Sequence, residues 1–443
     1  MDTHRLSPRP TPPSSADQGV RWDAVVRALC EHRRDTGDLL TAYLSATPAD
    51  VPALCLRGFT QLFLGRDERR PEAAAAEAAA RDALGASGGT RRDRALLAAL
   101  AAWREDRPAA AADAFDAMLA DDPRDLLAIK LQHGLLLMAG EAGRMRRSLE
   151  HVLPHWRPRD PDRGYVLGCY AFSLEETGDF ERAEAAGREA VALQPRDAWA
   201  IHAVAHVFES LGRAREGLTW LGANTAGYAE CNVFLGHVHW HRALLHFQIE
   251  EFGRALDIYD AHVATPWVGD YRDMSNAVSL LWRLETEGVD VGDRWRRLAR
   301  IAAGHVADRG SAFALAHYAL ALGRGDAPAV LSQAIAGLPA APPAGRTPDS
   351  QRAVVAEVGR PLCLGIEALC AGNAAAAYAA LAPLEPVLWR IGGSHAQRDL
   401  FGLMLIHVAL AAGELAAARQ LIATRQVRRP HDPWLSTRAA AAA

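Results

Sequence analysis

The chain has 443 residues, half of them hydrophobic and 23% charged, with 49 basic against 53 acidic side chains and a formal charge of −4. This composition carries ample material for a packed core and argues against disorder, while the balanced charge argues against nucleic acid or an anionic membrane surface as the principal partner. Length alone suggests about three domains of roughly 150 residues, unless the chain is a repeat array that grows by stacking.

Residues 1–19 are rich in Pro and Ser and lack an apolar segment, so they predict a disordered tail, not a signal peptide or an anchor. The Ala-rich end, 435–443, predicts a second disordered tail. Basic residues are almost all arginine, with Lys130 the single lysine, a bias typical of a GC-rich bacterial genome. The six cysteines (Cys30, Cys55, Cys169, Cys231, Cys363 and Cys370) form no C-x-x-C pair and read as reduced thiols of a cytoplasmic protein. The most apolar run, Leu126 to Gly140, contains Lys130, Gln132 and His133 and falls short of the roughly 20 residues of a membrane span.

From Val20 onward apolar residues recur at helical spacing, which predicts an all-α chain. A turn residue followed five positions later by a small one recurs: Asp106 with Ala111, Gly178 with Ala183, Gly212 with Gly217, Glu250 with Ala255, Gly372 with Ala377 and Gly413 with Ala418. Gly178 and Gly212 are 34 residues apart, as are Asp106 and Gly140, which is the tetratricopeptide period. A left-handed turn residue ends one helix, and the small residue lets the next pack close. Other spacings, 38 from Gly140 to Gly178 and 41 from Gly372 to Gly413, mark the array as degenerate. The expectation is an α-solenoid of tetratricopeptide-like helical hairpins forming one superhelical domain over 20–434, curled around a central polar pocket. The non-helical run Leu338 to Asp349 is the internal linker candidate.

Six of the 17 histidines fall between Trp199 and Glu250: His202, His206, His237, His239, His241 and His246. The pairs His202/His206 and His237/His241 are four apart, which puts each pair on one helix face. In the repeat register both pairs lie on first helices, with Trp199, Glu209, Ser210 and Trp240, and face one groove. Four readings stand: satisfied interior imidazoles, a divalent transition metal on His202, His206, His237 and His241, acid–base or anion-binding chemistry, and stacking of a ligand between Trp199 and Trp240. Neither pair carries the glutamate of H-E-x-x-H, which removes the metalloprotease reading.

Downstream, Asp270, Asp273 and Ser275 precede an apolar helix containing Arg283, and Gly392-Gly393-Ser394-His395 opens another with Arg398 and Asp399. Each aspartate or serine is a natural helix cap, and each is also a candidate to orient a histidine or hold an anion. No G-x-S-x-G, P-loop or dinucleotide fingerprint occurs.

The runs Asp197 to His206, Asn232 to His246, Asp273 to Glu285 with Gly288 to Trp295, and Gly392 to Asp399 together resemble the family of tetratricopeptide repeat protein 38, over roughly Val20 to Trp434. The chain departs from that pattern before His317, where Leu315 stands in place of an expected acidic residue. The resemblance implies a helical-repeat protein whose recurring residues are polar; it implies no reaction.

Two functions follow from these readings. In the first, His206, His241, Asp273 and His395 form a catalytic acid–base group, and His202, His237, Trp240, Asp270, Ser275, Arg283, Ser394 and Arg398 bind a small polar or anionic molecule, with no cofactor required. In the second, the protein is a non-catalytic scaffold that grips a peptide of a partner protein. Neither reading fixes an oligomeric state, and a homo-oligomer is compatible with both.

Overall fold

The computed structural model describes residues 21–264 and 270–430, together with 432, 434–435 and 438–439. The expected tail at 1–19 lies outside the described residues, as do 436–437 and 440–443 of the other. All regular structure described is helical, and an isolated bridge between Arg33 and Cys231 is the extended contact among these residues.

The helices run α1 (Trp22–Cys30), α2 (Thr36–Ala46), α3 (Val51–Phe63), α4 (Arg70–Ser87), α5 (Arg91–Arg104), α6 (Pro108–Asp121), α7 (Leu126–Ala139) and α8 (Ala142–Val152). They continue as α9 (Arg163–Glu176), α10 (Phe180–Leu193), α11 (Ala198–Ser210), α12 (Ala214–Ala223), α13 (Thr225–Tyr228), α14 (Phe234–Gln248), α15 (Phe252–Ile258) and α16 (Tyr271–Thr286). The last are α17 (Arg294–Ala303), α18 (Ala312–Arg324), α19 (Pro328–Ala336), α20 (Gln351–Val354), α21 (Arg360–Cys370), α22 (Ala374–Leu381), α23 (His395–Ala411) and α24 (Leu415–Arg428). Successive helices pack in pairs, α3 with α4, α5 with α6, α9 with α10, α17 with α18 and α21 with α22, the arrangement of a tetratricopeptide-like repeat.

The turn residues show why the chain folds this way. Gly140, Gly178, Gly212, Gly372 and Gly413 all have φ between 68° and 82°, so each ends its helix in the left-handed region. Asp106 and Glu250 take the same conformation without glycine, at φ 64° and 60°, and Gly288 and Asp326 continue the series. The small residue five positions on is buried each time: Ala111, Ala183, Ala255, Ala377 and Ala418 are fully enclosed. At Gly217 an added Cβ would lie 2.8 Å from Leu245 Cδ1 and 3.1 Å from Phe208 Cβ, so glycine there permits close helix packing.

The chain divides into two compact units, the first formed by 1–204 and 224–232, the second by 205–223 and 233–443. The boundary falls within α11. The Leu338 to Asp349 stretch is non-helical and lies inside the second unit. That unit has a continuous apolar core running from Trp240 and Met274 through Leu280, Phe313 and Val358 to Met404 and Leu435. Burying each large side chain of this kind stabilises by about 1.5–3 kcal/mol. Near the C-terminus Trp434 and Leu435 are buried, and Arg438 pairs with Glu287 at 2.5 Å. No helix among the described residues is long and apolar enough to cross a membrane.

Candidate functional site

Every residue of α11 is buried, so its polar side chains His206 and Glu209 must find partners inside the protein. In the second unit they meet α14. His241 Nδ1–H donates to Glu209 Oε2 at 2.8 Å, and the other carboxylate oxygen accepts from both terminal nitrogens of Arg429 at 3.1 Å. His241 Nε2 lies 3.2 Å from His237 Nε2, and His237 Nδ1 lies 3.0 Å from Asn276 Oδ1 on α16. The His206 ring centre is 4.2 Å from that of His241, and ring nitrogens of His206, His237 and His241 all lie within 4.8 Å of one another. His395, at the start of α23, places its ring 5.9 Å from His206. His206 and His241 are sealed, whereas His237 and His395 keep partial exposure.

A second polar group surrounds this one. Arg283 donates to the Ser279 hydroxyl and, at 3.3 Å, to Asp399; Asp399 also pairs with Arg425, which pairs in turn with Asp432 at 2.7 Å. Three acids, Glu209, Asp399 and Asp432, thus balance three arginines, Arg283, Arg425 and Arg429. Within this group of six the charges cancel before any histidine is counted.

The electrostatics set the charge of two of these groups. Burial alone would raise the Glu209 carboxyl, but the Arg429 charge and the His241 hydrogen bond hold it well below the usual carboxylate range. It is therefore ionised, and the proton between it and His241 belongs to Nδ1 of the histidine. Burial, with His241 beside it, pushes His237 well down, so its ring is neutral. With Nδ1–H of His237 donating to Asn276 Oδ1 and His241 neutral as well, both Nε2 atoms are bare and face each other at 3.2 Å; with His241 protonated against Glu209, its Nε2–H donates to His237 Nε2 instead. Two lone pairs at that distance repel unless a cation lies between them. Turning the Asn276 amide round would instead give its NH₂ a partner it otherwise lacks, and would put a proton between the two rings. These arrangements differ in whether a cation binds between the two rings.

The structure distributes the other sequence candidates over distinct roles. His202 belongs to the first unit, its ring stacked on Phe172 at 5.7 Å and tilted against Trp199 at 5.0 Å. Trp240 is fully buried in the apolar core and stacks on His237 at 5.2 Å. Asp270 caps α16 by accepting from Arg272 N and pairs with the Arg272 side chain at 2.7 Å. Ser275 donates back to the Arg272 carbonyl. Asp273 is buried, and that burial, reinforced by the Asp270 charge, raises its carboxyl to about 8. Ser394 caps α23 in a capping box with Gln397, and Arg398 ties down the carbonyl of Gly393. His246 pairs with Glu251 at 2.7 Å, and His239 stacks on His262 at 4.0 Å. His317 donates Nδ1–H to the Phe313 carbonyl. A separate cavity of about 420 Å³, lined by Gly288, Asp290, Trp295 and Arg324 among others, contains none of these groups.

Sequence reasoning missed Asn276, Arg425, Arg429 and Asp432. Arg429 lies 220 residues from Glu209, and no local spacing announces that contact.

No protein-family model matches the chain. Among solved structures, a tetratricopeptide repeat protein from Parabacteroides merdae is similar at 13% identity and TM-score 0.31, covering 74% of this chain and 98% of that one. Human IFIT1, solved as a dimer with m7Gppp-AAAA, is similar at 14% identity and TM-score 0.42, covering 94% and 98%. The Naa15/Naa10 complex bound to HypK-THB is similar at 14% identity and TM-score 0.26, with 94% of this chain and 65% of that one covered. At these scores the likenesses carry no functional argument, and the chain is described as a tetratricopeptide-like helical-repeat protein with a buried histidine cluster.

Proposed function

We propose that His206, His237 and His241 hold a divalent transition ion, and that this ion binds and activates a small anionic molecule or water. One observation carries the reading: the Nε2 atoms of His237 and His241 converge at 3.2 Å while their Nδ1 atoms are held from behind by Asn276 and Glu209. Imidazole ligands of zinc and related ions are oriented in this way, by a carboxylate or carbonyl on the far nitrogen. Neutral imidazoles leave such an ion its full charge, with which it lowers the pKa of a water or polarises a substrate oxygen that it binds.

The preference for an anion comes from the charge balance. Because every arginine of the cluster is already matched by a carboxylate, an ion on neutral histidines would be the uncompensated charge. A ligand that joins it from solvent is accordingly hydroxide, a carboxylate or a phosphate. The partly exposed His237 and His395 mark the side on which that ligand would enter. A scaffold that grips peptides would need these imidazoles at an open groove, and His206 and His241 are completely enclosed.

The test is elemental analysis of protein purified without chelator, together with the visible spectrum of cobalt-substituted protein. We expect one transition ion per chain, tetrahedral cobalt absorption, and a change in that absorption on adding inorganic phosphate. Alanine at His206 or His241 should abolish binding, whereas His246→Ala, in the same helix as His241, should not. Metal-free wild-type protein that takes up no cobalt would refute the reading and leave the proton-sharing arrangement.

A further inference from the structure

The first unit contains a second chemical group unrelated to that cluster. Lys130 is the only lysine among 49 basic residues, so wherever positive charge alone is wanted this chain uses arginine. An ammonium differs from a guanidinium in one decisive way: it can lose its proton near neutrality and become a nucleophile.

The surroundings of Lys130 suit that use. It is half-buried on α7 and forms no carboxylate ion pair among the described residues. Its Nζ lies 3.3 Å from His32 Nε2 and 5.1 Å above the Trp199 ring. His32 itself stacks on Trp199 at 5.6 Å. It is held at φ 54°, a left-handed conformation that a non-glycine residue keeps only when its surroundings enforce it. Here the enforcement comes from Asn232 N–H donating to the His32 carbonyl at 2.8 Å and from the bridge between Arg33 and Cys231.

One turn along α7, on the same face as Lys130, His133 is 4% exposed, and neither of its ring nitrogens has a hydrogen-bond partner. Its ring packs edge-on against Trp199 at 5.4 Å. Burial and the neighbouring Lys130 charge keep it neutral. A buried neutral imidazole with an unused donor and an unused acceptor is costly, and it points to a polar ligand beside it.

We propose that Lys130 is an imine-forming amine for a small aldehyde or 2-oxo acid, with His32 as its base and His133 as the group that hydrogen-bonds the carbonyl oxygen. His32 Nε2 takes a proton from the Lys130 ammonium. The free amine adds to the carbonyl carbon, forming the C–N bond while the C=O π pair moves to oxygen, and the proton shed by the newly bonded nitrogen passes to that oxygen to give the neutral carbinolamine. His32 returns its proton to the hydroxyl of this carbinolamine, and water leaves as the C=N bond forms. The net change is ammonium plus carbonyl giving protonated imine plus water, with no oxidant or reductant.

A single lysine makes the test clean. The full chain is treated with glyoxylate and cyanoborohydride, and the modified amines are located by peptide mapping, with the chain's α-amine as internal reference. We expect Lys130 to be alkylated at least about tenfold faster than free Nα-acetyl-lysine, the gain expected of an amine with a positioned base. Lys130→Arg should remove that label. His32→Asn, which keeps a residue tolerant of the left-handed backbone, should slow it about tenfold. Labelling of Lys130 no faster than the free amine would overturn the proposal, and an unchanged rate in folded His32→Asn would overturn the role of His32.

Discussion

Glu209 holds two partners at once: its Oε2 accepts from His241 Nδ1 at 2.8 Å while its Oε1 accepts from both terminal nitrogens of Arg429 at 3.1 Å. The carboxylate thereby orients an imidazole and neutralises a guanidinium 220 residues away in the chain. The histidine cluster and the C-terminal segment are therefore joined by one buried side chain.

Glu209→Gln should destabilise the protein by about 3–5 kcal/mol, because it leaves the Arg429 charge buried without its counter-ion. The pH dependence should change with it. A carboxyl whose folded pKa is depressed contributes stability above its unfolded value near 4.3, and loses it as the pH falls toward the folded value. Urea denaturation between neutral and acid pH should show wild type and variant converging at the acid end. Parallel curves would show that Glu209 does not carry that linkage.

Asn276→Leu should lower metal affinity about 10–100-fold without removing a ligand, since it deletes the group that holds His237 Nδ1. Competition against a chromophoric chelator would measure this, with His237→Ala as the reference for loss of a ligand. If Asn276→Leu bound metal as tightly as wild type, His237 would not be oriented for coordination.

These contacts mark where sequence reading stops. The turn register was legible because a left-handed position restricts the residue type; Gly178, Gly212 and even Asp106 and Glu250 betray it. The histidine pairs were legible because a helix places residues four apart on one face. The partners that define the site were not, because Asn276 lies 39 residues from His237 and Asp399 lies 116 from Arg283. Nor could residue type separate a cap from a ligand: Asp270 and Ser394, both candidates for anion binding, spend their oxygens on the first turns of α16 and α23.

Asp273 should make the fold less stable as the pH rises. Its buried carboxyl is raised to about 8 in the folded protein, against about 3.9 unfolded, so the native state binds the extra proton throughout that window. Stability should fall by roughly 1.4 kcal/mol per pH unit between those values through this group, and level off above the upper one. Asp273→Asn, a neutral side chain of the same shape, should abolish the decline relative to wild type in denaturant midpoints measured from about pH 4.5 to about pH 8, within that window. A variant with the same slope as wild type would show that Asp273 is ionised when folded.

Asp399 serves two arginines, and the two ways of removing it should differ. Asp399→Asn leaves Arg283, which is 3% exposed, without its carboxylate, and removes one of the two acids that face Arg425. The expected cost is about 3–5 kcal/mol, most of it the burden of an uncompensated buried charge. Replacing Arg283 and Asp399 together by methionine and leucine removes one charge of each sign and leaves Arg425 with Asp432 and Arg429 with Glu209. The double variant should therefore be less destabilised than Asp399→Asn alone, although it changes more atoms. Equal or additive losses in urea denaturation would mean that packing, and not charge balance, sets the stability of this part of the second unit.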